Sequence, residues 1–103
     1  MTDPLLKPIY AISVTAEIVG VHPRTLMIYE KEGLVIPKRT VTNRRRYCQK
    51  DLHSLLFIRY LMNDQKMNLN GCKIVIRLLD EAQNRGLILQ KLIFPTYKPQ
   101  RLF

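Results

Sequence analysis

The sequence is poor in the residues that build metal centres and membrane spans. No run of about 18 apolar residues occurs, so we expect no membrane-spanning helix. Residues 1–8 lack the basic start and apolar core of a signal peptide. Cys48 and Cys72 have no close second pair and no clustered histidine, whereas a zinc site needs about four ligands. We therefore predict no metal, no other cofactor and two reduced thiols in a cytoplasmic protein.

Acidic residues are also scarce. The chain has 8 Asp and Glu against 17 Lys and Arg, which gives a formal net charge of +9. This surplus favours a polyanionic partner, either nucleic acid or an acidic membrane surface, although plain solubility is the alternative. The acids are scattered, and no carboxylate pair, Ser/His/Asp set or phosphate loop is recognisable. We therefore predict that the protein is not an enzyme.

The length of 103 residues and the hydrophobic content of 47% are typical of one globular domain. We expect a lead-in over residues 1–8, a domain over 9–86 and a short tail over 87–103. The tail is apolar on too many sides for a solvated helix, so it either packs back or contacts another subunit. The candidate dimer contacts are Leu87, Leu89, Leu92 and Ile93.

Two short helices joined by a tight turn are predicted over residues 14–19 and 23–32. Ser13 is the expected N-cap of the first helix, because its hydroxyl can satisfy free backbone donors. Gly20 suits the end of that helix, since glycine readily takes the left-handed conformation. His22 is the expected N-cap of the second helix. Two helices in this arrangement form a helix-turn-helix.

A β-hairpin with a basic tip is predicted over residues 34–47, with a turn type that its sequence leaves open. Apolar residues at helical spacing then indicate helices over 49–65 and 69–85, the second capped by Asn68. The predicted fold class is mainly α, a winged helix-turn-helix of four helices and a small β-hairpin wing.

The second helix carries the residue types that read DNA bases. A recognition helix presents its N-terminal residues to base edges in the major groove. Arg24 can donate two hydrogen bonds to guanine, and Thr25 can meet a base edge or a thymine methyl. A cation at a helix start is electrostatically unfavourable, which weakens the alternative of a merely solvated Arg24. We predict base readout by His22, Arg24 and Thr25.

The hairpin carries the residue types that bind phosphate. Guanidinium groups fork onto phosphates or enter a narrow minor groove, and like charges at such density repel each other without a polyanion. A solvated charge cluster is the alternative, and Tyr29 has the alternative of pure core packing. The predicted phosphate and wing contacts are Ser13, Tyr29, Lys38, Arg39, Arg44, Arg45, Arg46 and Tyr47.

Over residues 9–85 the sequence resembles the MerR family. The resemblance lies in residues 12–16, 20–26 and 29–34, and in the basic wing that closes with Arg45-Arg46-Tyr47 before Asp51-Leu52. Residues 68–73 and the His-Pro pair before the second helix are similar to the heat-shock repressor branch of that family.

The resemblance implies a homodimer that binds a pseudo-palindromic operator. It implies a site-specific, double-stranded-DNA-binding transcription regulator, which we expect to be a repressor without an effector domain or a membrane partner. A chaperone as co-repressor is implied by the branch alone. Met27 and Ile28 depart from the family, which has a basic residue and often an aromatic there, so one phosphate contact is expected to be missing. The alternative function is a non-catalytic adaptor that binds a protein or RNA.

Overall fold

The computed structural model describes residues 3–99. The outer ends of the predicted lead-in, 1–8, and of the predicted tail, 87–103, lie outside that range. Within it, the elements follow one another as a 3-10 turn Pro4–Leu6, β1 Tyr10–Ala11, α1 Ile12–Val19, α2 Pro23–Lys31, β2 Lys38–Arg39, β3 Arg45–Tyr47, α3 Gln49–Asn63, α4 Leu69–Asn84 and α5 Gln90–Ile93. The mainly α, winged helix-turn-helix class is confirmed. Besides the four helices and the hairpin, the described residues include a short fifth helix, α5, and a short strand, β1.

The sheet has three antiparallel strands in the order β1-β3-β2. In the predicted hairpin, Lys38 lies opposite Arg46 and Arg39 opposite Arg45. On the other side of β3, Tyr10 lies opposite Tyr47. The wing is therefore attached along β3 to the strand that leads into the first helix.

The first helix begins earlier than predicted, and Ser13 is not its N-cap. Ala11 holds the cap position without a side-chain cap bond, and α1 starts directly where the pairing of β1 ends. The Thr15 hydroxyl donates to the Ala11 carbonyl oxygen at 2.9 Å, within the first turn. Ser13 is therefore an exposed residue inside that turn. The predicted end is confirmed, because Gly20 has a φ of 80° in the left-handed region.

The second helix has the predicted start. The His22 Nδ1 accepts a hydrogen bond from the Arg24 backbone N–H at 3.0 Å, and Pro23 takes the first helical position, where no N–H is needed. Leu26 and Tyr29 are buried three residues apart on one face of α2. That face anchors the helix and leaves its other side exposed.

The chain divides into two compact units, one up to Leu56 and one from Phe57 onward. This boundary falls inside α3 and within the predicted domain 9–86. The first unit has a core from both short helices, the sheet and the first half of α3. Its fully buried side chains include Thr15, Val19, Leu26, Tyr47, Leu52 and Leu55.

The second unit has a small core around Phe57, Leu61, Cys72 and Phe94. Asn68 caps α4 as predicted, because its side chain accepts from the Gly71 backbone N–H at 2.8 Å. None of the helices in residues 3–99 combines the length and the apolar character that a bilayer crossing requires.

Candidate nucleic-acid interface

The N-terminal end of α2 is open to a partner. His22 and Arg24 are exposed and Thr25 is half-buried. The His22 ring is held by its cap bond to the backbone N–H of Arg24. The side chain of Arg24 therefore projects from a helix start whose backbone is fixed. The three residues predicted to read bases lie together in the first turn and its cap.

Two of the exposed cations on the hairpin have no internal ion pair among the described residues. They are Lys38 on β2 and Arg44, the residue before β3, and neither forms an ion pair with any residue in 3–99. The turn between them is closed by a hydrogen bond from the Thr40 backbone N–H to the Arg44 carbonyl oxygen at 2.9 Å. These two side chains are available to phosphate without breaking an internal contact.

Glu30 joins the wing to the recognition helix. Its Oε1 accepts from Arg45 Nε at 2.6 Å, and its Oε2 accepts from Arg39 Nη2 at 2.9 Å. We call this pair of contacts the Glu30 bridge. Sequence reasoning placed Glu30 among the scattered acids and missed the bridge. The one available signal was an acidic residue on the recognition helix of a strongly basic chain.

The bridge also perturbs the carboxyl group. Burial by itself raises the pKa of Glu30, but hydrogen bonds and charge from Arg45 and Arg39 outweigh burial and lower the pKa below its usual value. The carboxylate is therefore ionised and fixes both guanidinium groups. The phosphate contacts predicted for Arg39 and Arg45 stay predictions, and each of them now shares its guanidinium with Glu30.

Three further predicted phosphate contacts are less accessible. Arg46 is half-buried and donates to the Arg45 carbonyl oxygen at 2.9 Å. Tyr29 is buried and belongs to the core face of α2. Tyr47 is fully buried, and its hydroxyl has no hydrogen-bond partner among the described residues. A side chain without exposed surface does not reach a phosphate in this conformation, so we leave Tyr47 out of the interface proposed below.

Ser13 has the exposure that a phosphate contact needs. It lies in the first turn of α1, where backbone N–H groups have no helical acceptor and the helix dipole favours an anion. Ser13 does not cap α1, but this does not affect the phosphate contact predicted for it, which stays a prediction.

The tail both packs back and exposes apolar surface. Phe94 is buried against Phe57, with ring centroids 5.7 Å apart, and the Tyr97 ring lies at 51° to that of Tyr60, with centroids 4.8 Å apart. The segment before Phe94 keeps its apolar side chains largely outside. Leu87, Leu92 and Ile93 are exposed, whereas Leu89 is half-buried.

Both cysteines are free and buried. Burial raises the pKa of the Cys48 thiol and of the Cys72 thiol, which keeps both protonated and poorly reactive.

An exposed helix start that follows a tight turn, together with a basic hairpin fastened to the same helix, defines a winged helix-turn-helix protein. Comparison with known proteins identifies the family. Residues 10–79 match the family described as MerR HTH family regulatory protein, and the chain belongs to that family. The resemblance seen in the sequence is thereby confirmed.

Two curated relatives illustrate the range of similarity. The chain is 44% identical over 75 residues to the putative heat shock protein HspR of Streptomyces coelicolor. This match covers 73% of the chain and 50% of that protein. It is 34% identical over 85 residues to the HTH-type transcriptional regulator GlnR of Bacillus anthracis, which covers 82% of the chain and 64% of that protein. The chain thus spans between half and two thirds of the length of these relatives.

A solved structure has a similar fold. It is the crystal structure of HiNmlR, described as a MerR family regulator lacking the sensor domain and bound to promoter DNA. The TM-score is 0.60 at 31% sequence identity, and the match covers 67% of the chain and 52% of that structure.

Proposed function

We propose that this protein is a sequence-specific double-stranded-DNA-binding transcription regulator that acts as a repressor and has no catalytic activity. One observation carries the proposal: the Glu30 bridge ties the basic wing to the last turn of α2, the helix whose start is exposed. A helix and a wing with a fixed spacing can engage the major groove and the adjacent backbone at once. The family and the promoter-bound structural neighbour support the same function.

Within this function the residues divide by what they contact. His22, Arg24 and Thr25 read base edges, because they occupy the cap and the first turn of α2. Ser13, Lys38 and Arg44 bind phosphate, because they are exposed and the last two form no ion pair with a described residue. Phosphate contacts position the protein, whereas base contacts specify the sequence. We propose that it acts in the cytoplasm, together with its DNA.

Selection of bound duplexes from random DNA tests the proposal. We expect enrichment of an inverted repeat, and we expect Arg24→Ala to lose the preference at one position of each half-site at a cost of about 1–3 kcal/mol. No enrichment, with retained binding to a protein or to RNA, would instead support a non-catalytic adaptor.

Salt dependence tests the role of the wing separately. Each neutralised phosphate contributes about −0.9 to the slope of log affinity against log salt concentration. We expect Arg44→Ala to reduce the magnitude of that slope by about one unit. Arg85→Ala is the matched control, because Arg85 is an exposed cation on the end of α4, outside the proposed interface. Equal slopes for the two variants would remove Arg44 from the DNA contact.

We further propose that the protein is a homodimer whose contact uses the apolar tail. Leu87, Leu92 and Ile93 are exposed in the segment before Phe94, and Leu89 is half-buried beside them. Two copies of such a patch would bury one another's apolar surface. Sedimentation equilibrium should give a dimer for the protein and a monomer for Leu92→Asp. A dimer in the variant would place the contact elsewhere.

The chaperone co-repressor is proposed on the resemblance to the heat-shock repressor branch alone. A chaperone that tightens binding to the selected duplex in a mobility-shift titration would support it. No change in affinity would refute it.

A further inference from the structure

The side of α2 that faces away from the core carries two adjacent apolar residues. Met27 and Ile28 have exposed fractions of 41% and 45%, whereas Leu26 and Tyr29 are buried on the opposite side of the helix. An amphipathic surface helix places polar residues on the side opposite its buried stripe. The packing of α2 therefore does not account for two large apolar side chains at these positions. We call Met27 and Ile28 the apolar pair.

Two cations lie on the same side of α2 as the apolar pair. Residues three, four and seven positions apart share one side of a helix, so Arg24, the apolar pair and Lys31 follow one another along α2. Arg24 and Lys31 are exposed, and neither forms an ion pair with any residue in 3–99. This face of the helix thus has an apolar centre and a cation about one turn, or about 5 Å, away on either side.

The cations at its ends show which partner this face fits. In a contact between two copies of α2, Arg24 and Lys31 of one copy would lie against cations of the other copy in either helix orientation, and the like charges would repel. Duplex DNA has the complementary charge, and its major groove is wide enough for an α-helix. The face is also continuous with the exposed start of α2, whose residues are proposed to read bases. The major groove is therefore the partner surface that fits.

One chemical group in the major groove matches the apolar pair. The base edges of adenine, guanine and cytosine present hydrogen-bond donors and acceptors there, whereas thymine also presents a methyl group. Neither Met27 nor Ile28 has a hydrogen to donate to a phosphate or to a base. Contact between these side chains and a thymine methyl group would remove apolar surface of both partners from water, which favours binding.

We propose that the apolar pair recognises a thymine in each half-site through its methyl group, near the base pair read by Arg24. This inference rests on the proposed DNA-binding function and deepens it, because it names a base and the residues that select it. The phosphate contact that the family resemblance implies at these positions needs a basic side chain, which Met27 and Ile28 do not provide. A contact that specifies the sequence therefore replaces one that only positions the protein.

Replacement of thymine by deoxyuridine tests the contact, because it removes the methyl group and keeps every hydrogen-bonding group of the base. On a duplex recovered by selection from random DNA, we expect this replacement at the recognised position to weaken wild-type binding by about fourfold for each methyl group. In the double variant with Met27→Ala and Ile28→Ala, the same replacement should leave the affinity unchanged. Alanine favours the helix, and both positions are exposed, so we expect the variant to fold.

The double variant with Ile74→Ala and Leu78→Ala is the matched control. Both residues are apolar, are 62% exposed and lie on α4, outside the proposed interface. The control variant should keep the wild-type loss of about fourfold on deoxyuridine. The measured quantity is the ratio of the affinities for the two duplexes, so a reduced fraction of folded protein cancels. Urea midpoints of all the variants measure the folding separately.

Cytosine methylation provides a second measurement of the same contact. In 5-methylcytosine the methyl group is attached to the same ring position as in thymine. We expect cytosine at the recognised position to weaken wild-type binding, and its methylation to recover about fourfold of the affinity. The double variant with Met27→Ala and Ile28→Ala should bind the cytosine and 5-methylcytosine duplexes equally. Equal binding of the two duplexes by the wild type would overturn the inference.

Three further results would overturn the inference while leaving the DNA-binding function intact. The first is a wild type that shows no loss on deoxyuridine at any thymine of the half-sites. The second is a loss that persists in the double variant of Met27 and Ile28, which would assign the methyl contact to Thr25. The third is weaker self-association of that variant in sedimentation equilibrium without DNA, which would show that the face contacts a second copy. Failure of the wild type to bind any duplex would instead overturn the proposed function, so the wild type is measured first.

Discussion

Glu30 on the recognition helix and Arg45 on the returning strand of the wing are joined by a hydrogen bond of 2.6 Å between Oε1 and Nε. The two residues are 15 positions apart in the chain. The exposed fractions of their side chains are 18% and 24%, so water screens the pair only in part. This contact, with the second one to Arg39, sets the position of the wing relative to α2. As a result, two of the positive charges of the wing are paired with Glu30 inside the protein and are less available to DNA.

A double-mutant cycle should measure the strength of the ion pair between Glu30 and Arg45. We expect Glu30→Gln and Arg45→Gln to show a coupling of about 1 kcal/mol in the free energy of unfolding by urea, because the pair is partly buried and well aligned. Glu81 and Arg85 form a control pair with exposed fractions of 61% and 75%. Their coupling should be only about 0.3 kcal/mol. Equal couplings for the two pairs would contradict a structural role of the Glu30 bridge.

Acid should lower the free energy of unfolding because it protonates Glu30. Since its pKa is lowered in the folded state, the unfolded state takes up the proton first as the pH falls. The stabilisation is fully present above about pH 4.5, the ordinary value, and is lost as the pH falls through the lower pKa of the folded state. Urea unfolding at a series of acidic pH values should show this decline in the wild type and a flatter profile in Glu30→Gln. Parallel profiles would show that protonation of Glu30 does not cause the loss of stability in acid.

Tyr47→Phe should leave the protein as stable as the wild type or up to about 1 kcal/mol more stable, because the lost hydroxyl has no partner among the described residues. Burial, followed by the charge of Glu30, raises the pKa of Tyr47 to about 12. The stabilisation from the neutral phenol is therefore present below the ordinary value of about 10 and is lost as the pH rises from there towards 12. The phenylalanine variant should lack this alkaline loss in urea unfolding.

The same variant tests the phosphate contact first expected for Tyr47. We expect unchanged affinity and unchanged salt slope on the selected duplex. A lower slope in Tyr47→Phe would mean that the hydroxyl becomes exposed when DNA binds.

His22 combines a structural and a proposed recognition role, and two variants separate them. His22→Ala removes the cap of α2 and should cost about 1 kcal/mol in unfolding free energy. His22→Asn should restore that stability, since the Asn side chain also accepts from the helix backbone. If His22 reads a base, the Asn variant should still show an altered preference at one position in a duplex selection. An unchanged base preference would show that His22 acts only as the N-cap of α2.

Local features of the sequence predicted most of the elements because their causes are local. His22 and Asn68 cap helices by reaching backbone groups within three residues. Gly20 has a left-handed φ, which glycine adopts without strain because it has no Cβ. Ser13 failed as a cap because β1 leads without a break into α1, and the pairing of that strand with a distant one is not visible in local sequence.

The interface was predicted in part. The exposed start of α2 and the cationic hairpin follow from residue type and helical position. The difference between Arg44, which is exposed, and Arg45, which is bonded to Glu30, does not follow from a run of three arginines. Alternation along a strand sends neighbouring side chains to opposite faces, but only the completed sheet decides which face meets the helix.

The sequence by itself determined the helices, the hairpin, the excess of positive charge and the family, since these depend on residue type and short spacings. Tertiary structure decided which cations are held by Glu30 and that Tyr47 is enclosed. The physical reason is that pairing and burial depend on neighbours brought together by the fold, over separations that a pattern of adjacent residues does not encode.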